Sequence, residues 1–229
     1  MFPAAMKGIT KFVDHLYQYP RVDQLHVYPE DWDDKPEEDK KQFMEQFLEH
    51  WGYTIYRTYY GPGSDEQWTK LLKNITDGVE KGLAELEEAD KKPDAVTKAR
   101  NWFRLDARSL PTTLDGLTLE DLRQVYREGT GGQPMRGLQR MNWGTAIFMV
   151  ADAQVLQEPD LNLLKVADAE YDPVAAVPKN SRVGAQRYFG WFTIPTTVVL
   201  DFYNFMDIFT FEQTFNHALP GTHWDVGCK

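Results

Sequence analysis

Tyr53-Thr54-Ile55-Tyr56-Arg57-Thr58-Tyr59-Tyr60, closed by Gly61-Pro62-Gly63 and followed at once by Ser64, is the stretch from which the fold is read. Its β-branched and aromatic residues favour an extended, half-buried backbone and the Gly-Pro-Gly punctuation ends it, so 53–60 is expected to be a strand. Ser64 and Gln67 have the spacing of a capping box. Trp68, Leu71, Leu72, Ile75, Val79, Leu83 and Leu86 then recur at helical spacing to about Ala89, where Lys91-Lys92-Pro93 interrupts. A strand followed by a long amphipathic helix sets the theme of a sheet covered by helices.

Upstream, Asp34 is a plausible N-cap, Pro36 fits a first turn, Glu37, Glu38 and Asp39 suit the positive end of a helix, and Phe43, Phe47 and Leu48 supply an apolar face; a helix is expected over about 35–50. Downstream, 102–105 reads as a short strand. Thr118 with Asp121 forms a second capping box, opening a helix through Leu122, Val125 and Tyr126 that stops at Gly129. The run Gly129-Thr130-Gly131-Gly132-Gln133-Pro134 reads as a loop. Strands are expected at 145–151 and 163–167, each ending in Val-Ala-Asp-Ala (150–153 and 166–169), and another at 188–194, followed after Pro195 by an aromatic-rich helix over 196–211. The order predicts an α+β (or α/β) fold with a single mixed sheet covered by helices. One globular domain over 1–229 is expected, with 1–34 as an N-terminal extension and 212–229 as an irregular tail.

The 229 residues are 42% hydrophobic and 26% charged, enough for a sizeable core under a well-solvated surface. With 35 acidic against 25 basic side chains the formal charge is −10, which argues against a general nucleic-acid coating protein. The apolar run Ile147–Ala151 is far short of the roughly 20 residues a membrane-spanning helix needs. The first 20 residues show no charged region, long apolar stretch and small-residue cleavage site in succession, and Cys228 is the one cysteine. A reducing, cytoplasmic setting is the expectation, and the Asn74-Ile75-Thr76 sequon inside a helix is then irrelevant. His15, His26, His50, His217 and His223 include no pair at zincin spacing, and the Walker A, dinucleotide-binding and Gly-x-Ser-x-Gly patterns are missing. No metal and no cofactor is expected.

Carboxylates are the more informative group. Asp152, Asp168, Glu170 and Asp172 lie at or just beyond the ends of two expected strands; if those strands are neighbours, the acids share one sheet edge, where ligands of open sheets bind. There they would suit a divalent cation or a cationic substrate group, the alternative being ordinary strand-terminating turns. The second group lies in Asp31-Trp32-Asp33-Asp34-Lys35-Pro36-Glu37-Glu38-Asp39, where Asp33, Asp34 and Glu37 spell D-D-x-x-E; read locally, it is an acid-rich first turn. Basic residues concentrate elsewhere, with Lys91, Lys92, Lys98, Arg100, Arg104 and Arg108 close together and Arg123, Arg127, Arg136 and Arg140 flanking the glycine loop. They read either as a phosphate-binding patch or as a solvated face.

Trp51-Gly52-Tyr53-Thr54-Ile55-Tyr56-Arg57-Thr58, Gly63-Ser64-Asp65-Glu66-Gln67-Trp68 and Gly190-Trp191-Phe192 resemble segments of small fungal proteins. Among such proteins the arginine-containing cyclodipeptide synthases carry an essential D-D-x-x-E motif, which Asp33, Asp34 and Glu37 match. The resemblance implies an aminoacyltransferase of secondary-metabolite biosynthesis that forms an arginine-containing diketopiperazine. Its partners would be arginyl-tRNA and a second aminoacyl-tRNA, with no DNA and no membrane involved. Asp33, Asp34 and Glu37 would be catalytic; Asp152, Asp168, Glu170 and Asp172 are candidates to bind substrate, and Lys91, Lys92, Lys98, Arg100, Arg104 and Arg108 to bind the RNA. An acyl-enzyme route would draw on Ser64, Ser109 or Ser181, with Cys228 a poor nucleophile. Two other readings stay open: a non-catalytic interaction module with an exposed aromatic surface in 188–211, and a small-molecule biosynthetic enzyme with an aromatic-lined pocket.

Overall fold

The structure, a computed structural model, describes residues 8–16, 31–45, 50–135, 146–176, 188–206 and 209–216. Five strands, β1 (Trp51–Arg57), β2 (Phe103–Arg108), β3 (Ile147–Ala151), β4 (Leu163–Asp168) and β5 (Trp191–Pro195), form one mixed sheet in the order β2-β1-β3-β4-β5. β1 and β3 run parallel, while β3–β4 and β4–β5 are antiparallel. The helices are α1 (Ile9–Leu16), α2 (Glu37–Glu45), α3 (Ser64–Glu85), α4 (Pro93–Trp102), α5 (Pro111–Leu114), α6 (Leu119–Glu128), α7 (Ala153–Gln157), α8 (Val199–Met206) and α9 (Phe211–Asn216). The expected α+β architecture with a single mixed sheet is the one observed.

The chain divides into two compact units, Met1–Trp51 with Leu83–Arg104, and Gly52–Gly82 with Leu105–Lys229. In the first, α1 packs on α4 and its Ile9 amide donates to the Glu87 carbonyl at 3.0 Å. Trp51 is its anchor: the indole donates to the Ala99 carbonyl at 2.7 Å, meets Phe12 edge-on at 5.1 Å and tilts against Phe103 at 4.8 Å. Within the segment expected as an extension, residues 9–16 are therefore helical with a buried face, while 1–7 and 17–30 lie outside the described residues.

The second unit holds most of the sheet. Tyr56, Phe148, Val150 and Ala167 point to one face, where they pack with Leu114 of α5 and Leu122 and Tyr126 of α6. Tyr53, three residues from Tyr56 and so on the opposite face, stacks on Phe202 of α8 at 5.8 Å. Phe192 and Phe211 close on the same cluster, 4.6 Å apart. Phe192, Phe202, Tyr203 and Phe211 are all buried, so these rings of 188–211 are core and do not supply an exposed aromatic surface.

Several local expectations change. The Ser64–Gln67 capping box does not form, because the Ser64 hydroxyl donates to the Gly61 carbonyl at 2.6 Å and accepts from Arg57. The Thr118–Asp121 box does form, and Gly129 ends α6 in the left-handed conformation. Pro93 begins α4 instead of merely ending α3. The helix expected over 196–211 is a 3-10 turn at Thr196–Val198, then α8, then a separate α9 opened by reciprocal Thr210–Gln213 bonds of 3.0 and 3.1 Å. Residues 211–216 are thus helical where 212–229 was expected to be irregular, and the remainder of that tail lies outside the described residues. No helix among the described residues is long and apolar enough to cross a membrane.

Candidate functional site

Glu37 opens α2, while Asp33 and Asp34 lie in the turn that precedes it, so Asp34 is not the expected cap; all three are exposed to solvent. Glu37 accepts from Lys40 at 3.2 Å, and the same ammonium donates to the Asp33 carbonyl at 3.3 Å, while Lys35 pairs with Asp31 at 2.9 Å and holds its carboxyl below the usual range. The carboxylates of Asp33 and Asp34 accept no hydrogen bond from any other described residue. These acids belong to the first unit, as do Lys91, Lys92, Lys98, Arg100 and Arg104, all of them exposed. Lys92 spans Thr10 at 2.9 Å and Glu88 at 3.3 Å, and Arg104 donates to the carbonyls of Asn101 and Phe103 at 3.1 and 2.9 Å.

The strand-end acids do not share an edge. β3 and β4 are antiparallel, with Ile147 opposite Asp168 and Val150 opposite Lys165, so Asp152 and Asp168 leave the sheet at opposite ends. Each is committed to local structure. Asp152 caps α7, accepting the Val155 amide at 3.1 Å, and pairs with the buried Lys165, whose ammonium also faces the Trp191 ring at 4.6 Å. Asp172 accepts the amides of Val174 and Ala175 at 2.8 and 3.2 Å, and Glu170 is exposed. Asp168 accepts from the Tyr188 hydroxyl at 2.7 Å and from the Glu170 amide at 2.8 Å.

Burial pushes the Asp168 carboxyl above the ordinary carboxylate range against those two bonds and Arg123. The folded state consequently takes up this proton at a higher pH than the unfolded chain. The group's favourable contribution is complete below the unfolded value and is lost as pH rises through the folded one. Asp168→Asn should therefore gain stability over wild type as pH rises across that window, measured by urea unfolding at a series of pH values; a difference that stays flat or narrows contradicts this.

Two of the cations read as a basic patch are internal. Arg108 pairs with Asp106 at 2.9 Å and donates to the carbonyls of Thr130, Gly132 and Gln133 at 3.3, 2.9 and 3.0 Å, which removes it from the RNA-binding candidates. Arg123 is buried, donating to the Asp168 and Gly190 carbonyls at 2.9 and 3.3 Å and lying over the Tyr171 ring at 4.8 Å. Arg136, Arg140, Ser181, His26, His217, His223 and Cys228 lie outside the described residues.

Sequence reasoning missed Arg57, which ends β1 and is buried. It donates to the Tyr59 carbonyl at 3.0 Å, to Ser64 Oγ at 2.8 Å and to Asp65 at 2.6 Å, and it stacks on Tyr60 at 4.4 Å. Ser64 is only 1% exposed and held in this network, an arrangement of a structural hydroxyl and not of an accessible nucleophile. Among the described residues, no group of three or more His, Cys, Asp or Glu could hold a metal ion. The chain matches no family model, no curated protein and no solved structure.

Proposed function

We propose that this protein is a tRNA-dependent aminoacyltransferase that forms an arginine-containing cyclic dipeptide, with Asp33, Asp34 and Glu37 as its acidic site. One observation carries the reading beyond the motif. The exposed D-D-x-x-E acids and the exposed Lys91, Lys92, Lys98, Arg100 and Arg104 belong to the same compact unit, whereas the competing acids Asp152, Asp168 and Asp172 are spent on caps, turns and ion pairs. An acidic group able to receive a guanidinium in bidentate fashion, on a unit with cations for phosphate, fits an arginyl-tRNA end better than it fits a free acid.

The chemistry needs little beyond positioning. The α-amine of one aminoacyl group attacks the ester carbonyl of the other, the first tRNA leaves through its ribose hydroxyl, and attack by the second amine on the remaining ester closes the ring and releases the second tRNA. Both esters are already activated, so holding amine and carbonyl together supplies much of the rate. The carboxylates bind the guanidinium or accept the proton of the attacking ammonium.

Expression in a heterologous host with mass spectrometry of the medium tests this. Wild type should yield an arginine-containing cyclodipeptide, and Asp33→Ala, Asp34→Ala and Glu37→Ala should each lower it about tenfold or more, the scale of losing one charged contact. Surface substitutions of this kind shift stability by only about 0.5 kcal/mol, so a loss of product reports on the site. Unchanged product in all three variants removes the acids from the mechanism; no product from wild type removes the function.

A further inference from the structure

α4 carries its buried row along Val96 and Ala99, three residues apart, and the next step of that row is Trp102, the last residue of the helix. Because the helix ends there, the indole is only half-buried, whereas Val96 and Ala99 are covered. The backbone beneath it is fixed by three groups. His50 Nδ1 donates to the Trp102 carbonyl at 3.2 Å, the Phe103 amide donates to the Arg100 carbonyl, and Arg104 Nη1 donates to the carbonyls of Asn101 and Phe103 at 3.1 and 2.9 Å.

Charge at this end of α4 is of one sign. Lys98, one turn before the indole, Arg100 and Arg104 are all exposed, and no acid lies between Asp94 and Asp106. Capping of the helix end accounts for one nitrogen of Arg104. Nε and Nη2 of that guanidinium bond to no acceptor among the described residues, and the side chain is exposed. A phosphate takes such an edge through two parallel N–H···O bonds, and a carboxylate does the same. The half-exposed ring among the cations decides between them, because a nucleobase stacks on an indole and a carboxylate gains nothing from it.

We propose that Trp102, with Lys98, Arg100 and Arg104 around it, is a platform for single-stranded RNA, on which one base stacks on the indole while flanking phosphates bind the cations. Single strands fit and duplexes do not, because the base faces of a duplex are already stacked on one another. The inference deepens the transferase reading and rests on it for the identity of the strand, the unpaired 3′ end that carries the aminoacyl ester of a tRNA. The platform and the D-D-x-x-E acids belong to the same compact unit.

The test uses the full chain and the fluorescence anisotropy of a labelled, uncharged single-stranded RNA ending in cytidine-cytidine-adenosine, beside a blunt RNA duplex of the same length. Wild type should bind the single strand about tenfold more tightly than the duplex. Trp102→Ala should weaken single-strand binding about tenfold, within the range of one lost base stack, and Trp102→Tyr should restore most of it. Arg104→Gln, an exposed substitution that leaves the indole in place, should reduce the slope of log K against log salt by about 0.7, one phosphate contact. A single strand bound no better than the duplex, Trp102→Tyr as weak as Trp102→Ala, or an unchanged salt slope in Arg104→Gln would each overturn the proposal. The assay reads no product, so the two readings fail separately. A wild type that binds in this way and makes no cyclodipeptide keeps the platform and loses the transferase. One that makes cyclodipeptide while Trp102→Ala and Arg104→Gln bind and yield as before loses only the platform.

Discussion

Gly190→Ala should destabilise the protein by about 3 kcal/mol, through two additive penalties. The glycine has φ +73°, a left-handed conformation that costs a residue with a Cβ roughly 1–2 kcal/mol. The new methyl would also lie 2.5 Å from Tyr171 Cβ and 2.7 Å from its Cδ1, closer than real Cβ atoms approach. Tyr171 cannot swing away freely, because its ring carries Arg123 at 4.8 Å on its face and meets Tyr188 edge-on at 5.4 Å. Moving it loosens the place where the Gly190 carbonyl receives the Asp168 amide at 2.9 Å and Arg123 at 3.3 Å. Overpacking of this sort typically adds 1–3 kcal/mol. A double-mutant cycle with Tyr171→Gly, which removes the Cβ as well as the ring, separates the terms: the clash should vanish in the double variant, leaving a coupling of about 1 kcal/mol or more, while the backbone penalty stays. Denaturant midpoints of the four proteins measure it, and additive losses would show that the ring is not what Gly190 is small for.

Other elements show which parts of the fold the residue pattern could carry. The strand around Tyr53 was legible from its density of aromatic and β-branched residues, although β1 is buried on both faces, and the helix through Trp68, Leu71, Ile75, Val79 and Leu83 was legible because it buries one repeating face on which those five residues lie. Strand direction was not. Val150-Ala151-Asp152-Ala153 and Val166-Ala167-Asp168-Ala169 look alike, and likeness suggested a shared edge. Yet only residues 152–162 connect β3 to β4, too few for a parallel crossover that carries a packed helix back across the sheet, and connection length was the available signal. Likewise Thr210-Phe211-Glu212-Gln213 has capping-box spacing that an aromatic-rich run masked.

The candidate site was legible as composition and not as commitment. Charge counting placed Arg108 and Arg123 beside Lys91 and Arg100 as equivalent cations, whereas the fold internalises the first two on carbonyl oxygens supplied by loops distant in sequence. Nothing local distinguishes an arginine that will meet such carbonyls from one that will meet water. For the same reason Arg57, the most heavily bonded cation at the end of β1, went unnoticed inside the stretch that fixed the strand. The helix-start acids kept their reading only in part: Glu37, Glu38 and Asp39 form the first turn of α2, whereas the helix begins two residues later than expected, so Asp33 and Asp34 stand in the turn before it and Asp34 does not cap it.

Gly78→Ala tests where local preference gives way to packing, and it should destabilise by about 2 kcal/mol. On helix propensity alone the change is favourable by about 1 kcal/mol, since Gly78 lies in the interior of the 22-residue α3. Its Cα faces the 3-10 turn after β5, however, and an added methyl would sit 3.0 Å from the Thr196 carbonyl carbon, 3.1 Å from Thr197 Cα and closer still to the Thr196 oxygen. All three are backbone atoms that cannot rotate aside, so helix and turn must separate, at a cost near or above the upper end of the usual 1–3 kcal/mol for overpacking. Gly82, one turn on, faces Leu200 Cδ2 at 3.0 Å, which can rotate aside, and Leu200 Cβ at 3.1 Å, which needs a shift of only a few tenths of an ångström, so Gly82→Ala should cost distinctly less. Thermal and urea unfolding of the two variants rank them. A Gly78→Ala protein as stable as wild type would mean that α3 does not need its close approach to the Thr196–Val198 turn, and helix propensity would then govern both positions.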